Sequence, residues 1–351
     1  MRGSSALVAI RRVAMSAAAI SSVSMGVASS ACAANKFVIA TDGVASASSE
    51  SSKDFLLSRP SGAYTTARTC SRGRRLFEWE THVGRTALSV AGMLTSEVEQ
   101  GAAAAPLLET LTKPEVLRPR LDATVAAAVH EYMATHGEDG ELKVTVLVTW
   151  DRTAVPTDGN GVVGSIACHI APLPPLPSPP VRVEVRGAPR ANAAAKDSSW
   201  VSERAPLEEL MRGSAVGAVN ELLLADDDGA LLEGSQTNFF ALVDGAVHTA
   251  GDGILAGTVR RLLLEVCERE GIPVKLTPPK LADAQKWEGA LISSTSRLAL
   301  PIDELYVPKE GKPSEAADCL IKFETGEGSL ARRLQVMVTS EVESHSTEIP
   351  H

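Results

Sequence analysis

At 351 residues, with 44% hydrophobic and 22% charged residues, the chain is composed like a globular protein with one large core or two medium ones. Its formal charge of −9 argues against general nucleic-acid binding and against an anionic membrane surface, since nothing basic offsets the repulsion. Cys32, Cys70, Cys168, Cys267 and Cys319 are odd in number, far apart and form no CxxC, so they read as free thiols rather than a disulfide framework.

The N-terminus differs in kind. Up to Thr41 it holds Arg2, Arg11, Arg12 and Lys36, no acid, and many Ser and Ala residues. Such a start reads as an organelle transit peptide, plastid before mitochondrion. A secretory apolar run ending in Ala-Cys-Ala is the alternative, though Ser interrupts it repeatedly. It is too polar for a membrane span. Residues 1–50, including the Ser-rich ASASSESS, are therefore set aside as leader.

Residues 51–170 read as a small α+β domain. AYTTAR (Ala63–Arg68) and Leu76–Trp79 flank a turn at Arg72-Gly73, which predicts a hairpin. Thr81 to Val98 reads as a helix with Val83, Ala87, Val90, Ala91 and Leu94 on one side. A second helix, Leu121 to Thr135, stops at Gly137. The β-branched KVTVLVTW, Lys143–Trp150, is a strand, with Val162–Ile170 as its neighbour. APLPPLPSPP, residues 171–180, can continue neither helix nor internal strand and serves as a semi-rigid joint.

Residues 181–338 read as a larger α+β domain, and 339–351 as a polar, frayed tail containing His345 and His351. Strand VRVEV is followed by a helical stretch with Leu207, Leu210 and Met211. Three strands come next: NELLLA, the region through Leu231-Leu232, and NFFALV. Their connections are DDDG and an Asp244-Gly245 hairpin turn. Helix Thr258–Glu270 buries Val259, Leu262, Leu263 and Val266, and leads through Gly271 into PVKL. Ala290–Ser293 is the final strand predicted. Strands and helices without regular βαβ alternation indicate an α+β fold with antiparallel pairing in both parts.

The polar residues are individually uninformative. A lone lysine such as Lys196, or a lone acid such as Glu233, is by default solvated. Gly257-Thr258-Val259 at a helix start can cradle an anion through free N–H groups and the helix dipole. His82 and Arg85 lie three apart on one helix, by default a solvated face. Ser293-Ser294-Thr295 after a strand is a set of hydroxyl donors or simply a turn. Cys168 and His169 are adjacent on a strand, so they point to opposite faces and make a poor nucleophile–base pair. No histidine pair has metal-ligand spacing, and Gly251-Asp252-Gly253 lacks the third glycine of a dinucleotide fingerprint.

Taken together and in order, these residues resemble the fold-type IV (class IV) pyridoxal-phosphate enzymes, the family of branched-chain and D-amino acid aminotransferases and aminodeoxychorismate lyase. The resemblance runs from Tyr64 to Pro301 and is most specific at EGSQTNFF, ILAGTVR and LISSTSRLALPI. KDSSW, ELLL, LLEG and TNFF look more closely like a plant- or alga-type organellar branch. The resemblance implies a two-domain D-amino acid aminotransferase-like fold with pyridoxal 5'-phosphate in the interdomain cleft. It implies that Lys196 holds the cofactor as a Schiff base and shuttles a proton, which requires a desolvated amine of lowered pKa. Glu233 matches the acid at the pyridine nitrogen. Arg85, in HVGR, matches the phosphate arginine. Gly257, Thr258 and Val259 match the phosphate loop, and Thr295 its hydroxyl donor. Tyr64 falls at the substrate pocket, with Arg68 on the same strand, although a core role for Tyr64 stays open.

Two residues depart from the pattern. Val259 stands where a threonine is common, and Trp200 stands near the place of a tyrosine; an indole N–H donates but cannot accept or ionise. The expected activity is amino-group transfer from an amino acid to a 2-oxo acid, by a homodimer. Alternatives are a lyase of the aminodeoxychorismate lyase type, and a catalytically silent binding or regulatory protein on the same fold.

Overall fold

The computed structural model describes residues 36–99, 110–151, 164–308 and 319–349. The leader to residue 35, and His351, lie outside them. Two sheets organise the chain. The first has seven antiparallel strands: β1 (Phe37–Thr41), β2 (Val44–Ser48), β3 (Ala63–Cys70), β4 (Arg75–Phe77), β5 (Leu142–Thr149), β6 (Ser165–Pro172) and β17 (Ser346–Glu348). Their order is β17-β4-β3-β5-β6-β1-β2. A short helix α1 (Ser52–Leu57), capped by the Ser51 hydroxyl, precedes β3.

The period of β5 explains how this sheet is used. Val144, Val146 and Val148 join one core with Val83, Ala87, Val90 and Leu94 of helix α2 (Trp79–Glu99) and Leu121, Val125 and Val129 of helix α3 (Pro114–His136). Lys143, Thr145 and Leu147 alternate onto the opposite face. There they stand across from Arg68, Thr66 and Tyr64 of β3. One face of the sheet is thus an apolar core, and the other is partly polar.

The second sheet has ten strands. β7 (Arg182–Val185), β8 (Glu221–Ala225), β9 (Leu231–Gly234), β10 (Asn238–Val243), β11 (Ala246–His248), β12 (Val274–Lys275), β15 (Glu304–Val307) and β16 (Cys319–Lys322) run in the order β12-β11-β10-β9-β8-β7-β15-β16. β13 (Gly289–Ser294) pairs β10, and β14 (Leu298–Pro301) pairs β13. Helix α4 (Ser199–Glu203) and helix α5 (Ala205–Arg212) connect β7 to β8. Helix α6 (Thr258–Arg269) and helix α7 (Leu330–Ser340) bury Leu262, Leu263, Val266, Leu334 and Val338 against Phe240, Leu242 and Leu291. Asp244 and Gly245 both have positive φ, 49° and 70°, as their hairpin turn requires.

Several expectations need correction. Residues 37–48, set aside as leader, form β1 and β2. The Ser- and Ala-rich β2 is an edge strand whose residues are mostly exposed, so its polarity costs nothing. Pairing in the second sheet is mixed: β7–β8, β7–β15 and β11–β12 are parallel. Trp79 opens a helix instead of closing a strand, and Pro114, a favoured first-turn residue, starts α3 seven residues before Leu121. Beyond Ser293 the chain adds β14, β15, β16, α7 and β17. The segment after residue 338 is therefore not a frayed tail: β17 pairs with β4.

That C-terminal segment ends in a buried charge cluster. The Glu78 carboxylate is 5% exposed. It accepts from Arg261 Nη2 at 2.6 Å on both oxygens, from Thr81 Oγ1, and pairs with His345 Nδ1 at 2.7 Å. Glu78 N donates to His345 O. One carboxylate thus ties the start of α2 to the first turns of α6 and to the last segment of the chain. Burial alone pushes its pKa up, but these donors outweigh it and hold Glu78 below its ordinary value. A depressed carboxylate pKa contributes stability that is full above the unfolded value near 4.5 and is lost as pH falls through the folded value. Glu78→Gln should therefore lower unfolding free energy at pH 7 by about 2 kcal/mol. The deficit should shrink below pH 4 in urea titrations followed by circular dichroism.

Candidate active site

A cavity of about 320 Å³ is lined by residues of both sheets. Lys196 enters it from the loop between β7 and α4. Its backbone is fixed twice: Lys196 N donates to Ser89 Oγ of α2 at 3.0 Å, and Tyr64 N of β3 donates to Lys196 O at 2.9 Å. An isolated bridge between Ala63 and Asp197 extends that contact. The ammonium stands over the Tyr64 ring, 4.6 Å from its centroid. Burial is the largest influence on this amine, and Arg85, Arg190 and Arg204 add to it by repulsion. Tyr64 opposes them, and the pKa falls from 10.5 to about 8. At pH 7 that leaves roughly a tenth of the amine neutral, about 300-fold more than an ordinary lysine has.

Glu233, at the end of β9, lies on the cavity wall and is 4% exposed. Arg190 Nε donates to its Oε1 at 2.8 Å and Leu255 N to its Oε2 at 3.1 Å. Burial raises its pKa in spite of both donors and of Lys196. Each carboxylate oxygen keeps a further acceptor site.

Arg85 borders the same cavity and is aimed by its own turn of helix. Its Nη2 donates to Thr65 Oγ1 at 2.8 Å and lies 3.2 Å from His82 Nδ1. An arginine only donates, so Nδ1 of His82 is an acceptor. Burial and the charges of Arg85 and Lys196 keep this imidazole neutral, its pKa well below 6.5. Burial likewise brings Arg85 down to about 10, still cationic at neutral pH. The His82–Arg85 spacing is therefore a buried, working pair and not a solvated face.

Gly257 caps α6 at the cavity wall and brings no side chain to its first-turn N–H groups. It must be glycine, because a Cβ would run into Asn238 Oδ1, whose amide is held by Leu255 O at 2.8 Å. Thr258 Oγ1 meets Thr295 Oγ1 at 3.1 Å. Val259 lines the cavity, but its side chain belongs to the core under α6, so the position offers backbone rather than a hydroxyl.

Tyr64, Arg85, Lys196, Glu233, Gly257, Thr258, Val259 and Thr295 thus converge on one cavity. Arg68 does not line it: Arg68 sits four residues further along β3 than Tyr64, opposite Lys143 and near the charge of Glu141. Trp200 lines the cavity, but its Nε1 donates to Ser235 O at 2.8 Å and its ring backs Arg190. Cys168 is buried in the helix-side core, and burial pushes its thiol pKa far up. His169 is on the other face against Phe37 and Phe55.

Sequence reasoning passed over Arg190, Arg204 and Lys143, all of which line the cavity. Only Lys143 carried a signal, as the polar phase of an alternating strand. Acylation of Lys196 by an amine-selective reagent should follow an apparent pKa near 8. In Tyr64→Phe the profile should shift to lower pH, because the phenol opposes the surrounding positive charge. Peptide mapping across a pH series measures both.

Comparison with known proteins follows this geometry. A protein described as a branched-chain-amino-acid aminotransferase from Methanocaldococcus jannaschii is 28% identical over 149 residues, 40% of this chain. The chain matches half the length of that relative. A branched-chain aminotransferase structure from Thermoproteus uzoniensis superposes with a TM-score of 0.60 at 18% identity, covering 89% of this chain and 99% of that one. A fold IV-transaminase from Curtobacterium pusillum gives 0.60 at 20%, covering 88% and 99%. The PLP-bound form of a hypothetical aminotransferase from Mycobacterium tuberculosis gives 0.59 at 18%, also covering 88% and 99%. At these identities the structures establish the shared fold. The family model for class IV amino-transferases matches residues 62–305, which include every wall of the cavity described above apart from α1, and the chain belongs to that family.

Proposed function

We propose that the chain is a pyridoxal-phosphate-dependent transaminase that moves an amino group from an amino acid to a 2-oxo acid. The observation that carries this reading is a desolvated lysine amine sharing one cavity with a buried carboxylate, an arginine and an uncapped helix start. The residues present fit the cofactor. Arg85 Nε, Thr237 Oγ1 and Ser293 Oγ are buried on the cavity wall without a protein partner. With the first-turn N–H groups of α6 they form the kind of donor set that a phosphate dianion takes. Glu233 would hold a ring N–H, and its raised proton affinity suits that bond.

When bound, the cofactor supplies an aldehyde for amine exchange and a ring that accepts electrons from the substrate Cα. The chain's own groups do the rest. Arg85, Thr258 and Thr295 would orient the phosphate, and Glu233 would fix the opposite end. Arg190 keeps Glu233 in place by pairing with it and resting on Trp200. Lys196 Nζ takes the proton from the substrate Cα and returns it, a task that its lowered pKa fits to neutral pH. Dimerisation and organellar import complete the reading. The family resemblance supports the first and the acid-free leader the second.

Purified protein mixed with pyridoxal phosphate should develop an absorbance band that Lys196→Ala lacks. Arg85→Gln should weaken cofactor binding by roughly 10- to 100-fold while leaving the band shape intact. Oxo-acid product should exceed one equivalent per active site only when a 2-oxo acid acceptor is supplied. Pyruvate released from aminodeoxychorismate without any acceptor would overturn transamination in favour of elimination. No band in the wild type would overturn the cofactor assignment itself.

A further inference from the structure

The donors assigned to the cofactor phosphate come from two helices. Arg85 stands on α2, and the uncovered N–H groups belong to the first turn of α6. A grip of this kind works only if guanidinium and helix start keep a fixed separation. One residue joins the two helices where each begins.

Glu78 O accepts from His82 N at 3.0 Å, at the first turn of α2. His82 Nδ1 in turn lies 3.2 Å from Arg85 Nη2. On the other side, Arg261 Nη2 donates to both carboxylate oxygens of Glu78 at 2.6 Å. Arg261 N donates to Gly257 O at 3.0 Å, the bond that starts α6. A connected path of hydrogen bonds and single helical turns thus runs from Arg85 through Glu78 to Gly257. Neither Glu78 nor Arg261 lines the cavity, so both act on it only through other residues. His345 Nδ1, 2.7 Å from Glu78 Oε1, and Thr81 Oγ1 hold the carboxylate from other sides.

Glu78 is also strained. Its φ of 54° lies in the left-handed region, where glycine is at ease and a residue with a Cβ is not. A glycine there would relieve the strain and break the path to Arg261. The charge of Glu78 gives an anion no direct help, since a carboxylate repels a phosphate dianion. What Glu78 offers the site is position.

We propose that Glu78 is a positioning residue for the cofactor phosphate: through Arg261 it sets the start of α6 against Arg85. The proposal rests on the pyridoxal-phosphate reading of the cavity. Charge and position make opposite demands. Neutralising Glu78 should strengthen phosphate binding if charge alone matters, and weaken it if position matters. A carboxylate beside two helix starts also suits both dipoles, but that effect falls on stability and does not distinguish one ligand from another.

The test titrates the full-length protein with pyridoxal phosphate and with pyridoxal, which has the same aldehyde and ring but no phosphate. Absorbance follows attachment, and circular dichroism follows the fold. Glu78→Gln should weaken pyridoxal phosphate binding by about 10-fold and leave pyridoxal binding unchanged. Arg261→Gln should do the same, and the double variant should lose no more than either single one. Arg261→Lys, which keeps a cation within reach, should retain the wild-type preference. Unchanged or tighter pyridoxal phosphate binding in Glu78→Gln overturns the proposal, as do an equal loss for both ligands and additive losses in the double variant. Should Glu78→Gln fail to fold, the half-exposed Arg261 carries the same test through Arg261→Gln. Wild type that binds neither compound overturns the cofactor reading itself, and the inference with it.

Discussion

A lysine amine held among guanidinium groups is the constraint on which the rest of this structure depends. Placing Lys196 in a cavity whose walls also carry Arg85, Arg190 and Arg204 disfavours its charged form twice, through burial and through repulsion. That placement is maintained by backbone contacts rather than by the side chain itself. The loop carrying Lys196 is hydrogen-bonded to β3 through Tyr64 and to α2 through Ser89. The same two elements of the first sheet's domain supply the Tyr64 ring and the Arg85 guanidinium. Lysine, aromatic face and anion-binding arginine are thus set by one local assembly.

The second sheet contributes the opposite pole. β9 presents Glu233, and β10 presents Asn238, which packs so close to Gly257 that no side chain fits there. This leaves the α6 N-terminus bare toward the cavity. Glu78 then links the first turns of α6 to the start of α2. The helices that bring Arg85 and the bare α6 N-terminus to the cavity are therefore tied to each other through Glu78. A buried carboxylate held by three donor side chains, Arg261, Thr81 and His345, is rigid, and rigidity is what a positioned anion site needs.

Much of this was legible in the sequence, for identifiable reasons. The β-branched alternation of β5, the Asp-Gly turn after β10 and the amphipathic α6 are local patterns, and each appears where its pattern says. The order of Arg85, Lys196, Glu233, Gly257 and Thr295 was legible only through family resemblance, because each residue alone looks solvated. What stayed hidden depends on long-range contacts. β2 looks like leader because an exposed edge strand needs no apolar residues. β17 looks like a frayed tail because its pairing partner, β4, lies some 270 residues earlier in the chain. Arg190 and Arg204 sit in charged, turn-rich stretches and acquire meaning only from Glu233 and Tyr64 across the cavity. Arg68 shares the phase of Tyr64 but not its depth along the strand, and distance along a strand is not visible in periodicity.

The central claim is that Lys196, and not another amine of this cavity, carries the cofactor. The cavity supplies its own control, because Lys143 is a second largely buried lysine on the same wall system. Borohydride reduction of the cofactor-loaded protein, followed by proteolysis and peptide mass spectrometry, fixes the attachment point directly. The account predicts a pyridoxyl-phosphate mass increment on the peptide containing Lys196 and none on the peptide containing Lys143. An increment on Lys143, or on no peptide of this cavity, would contradict it.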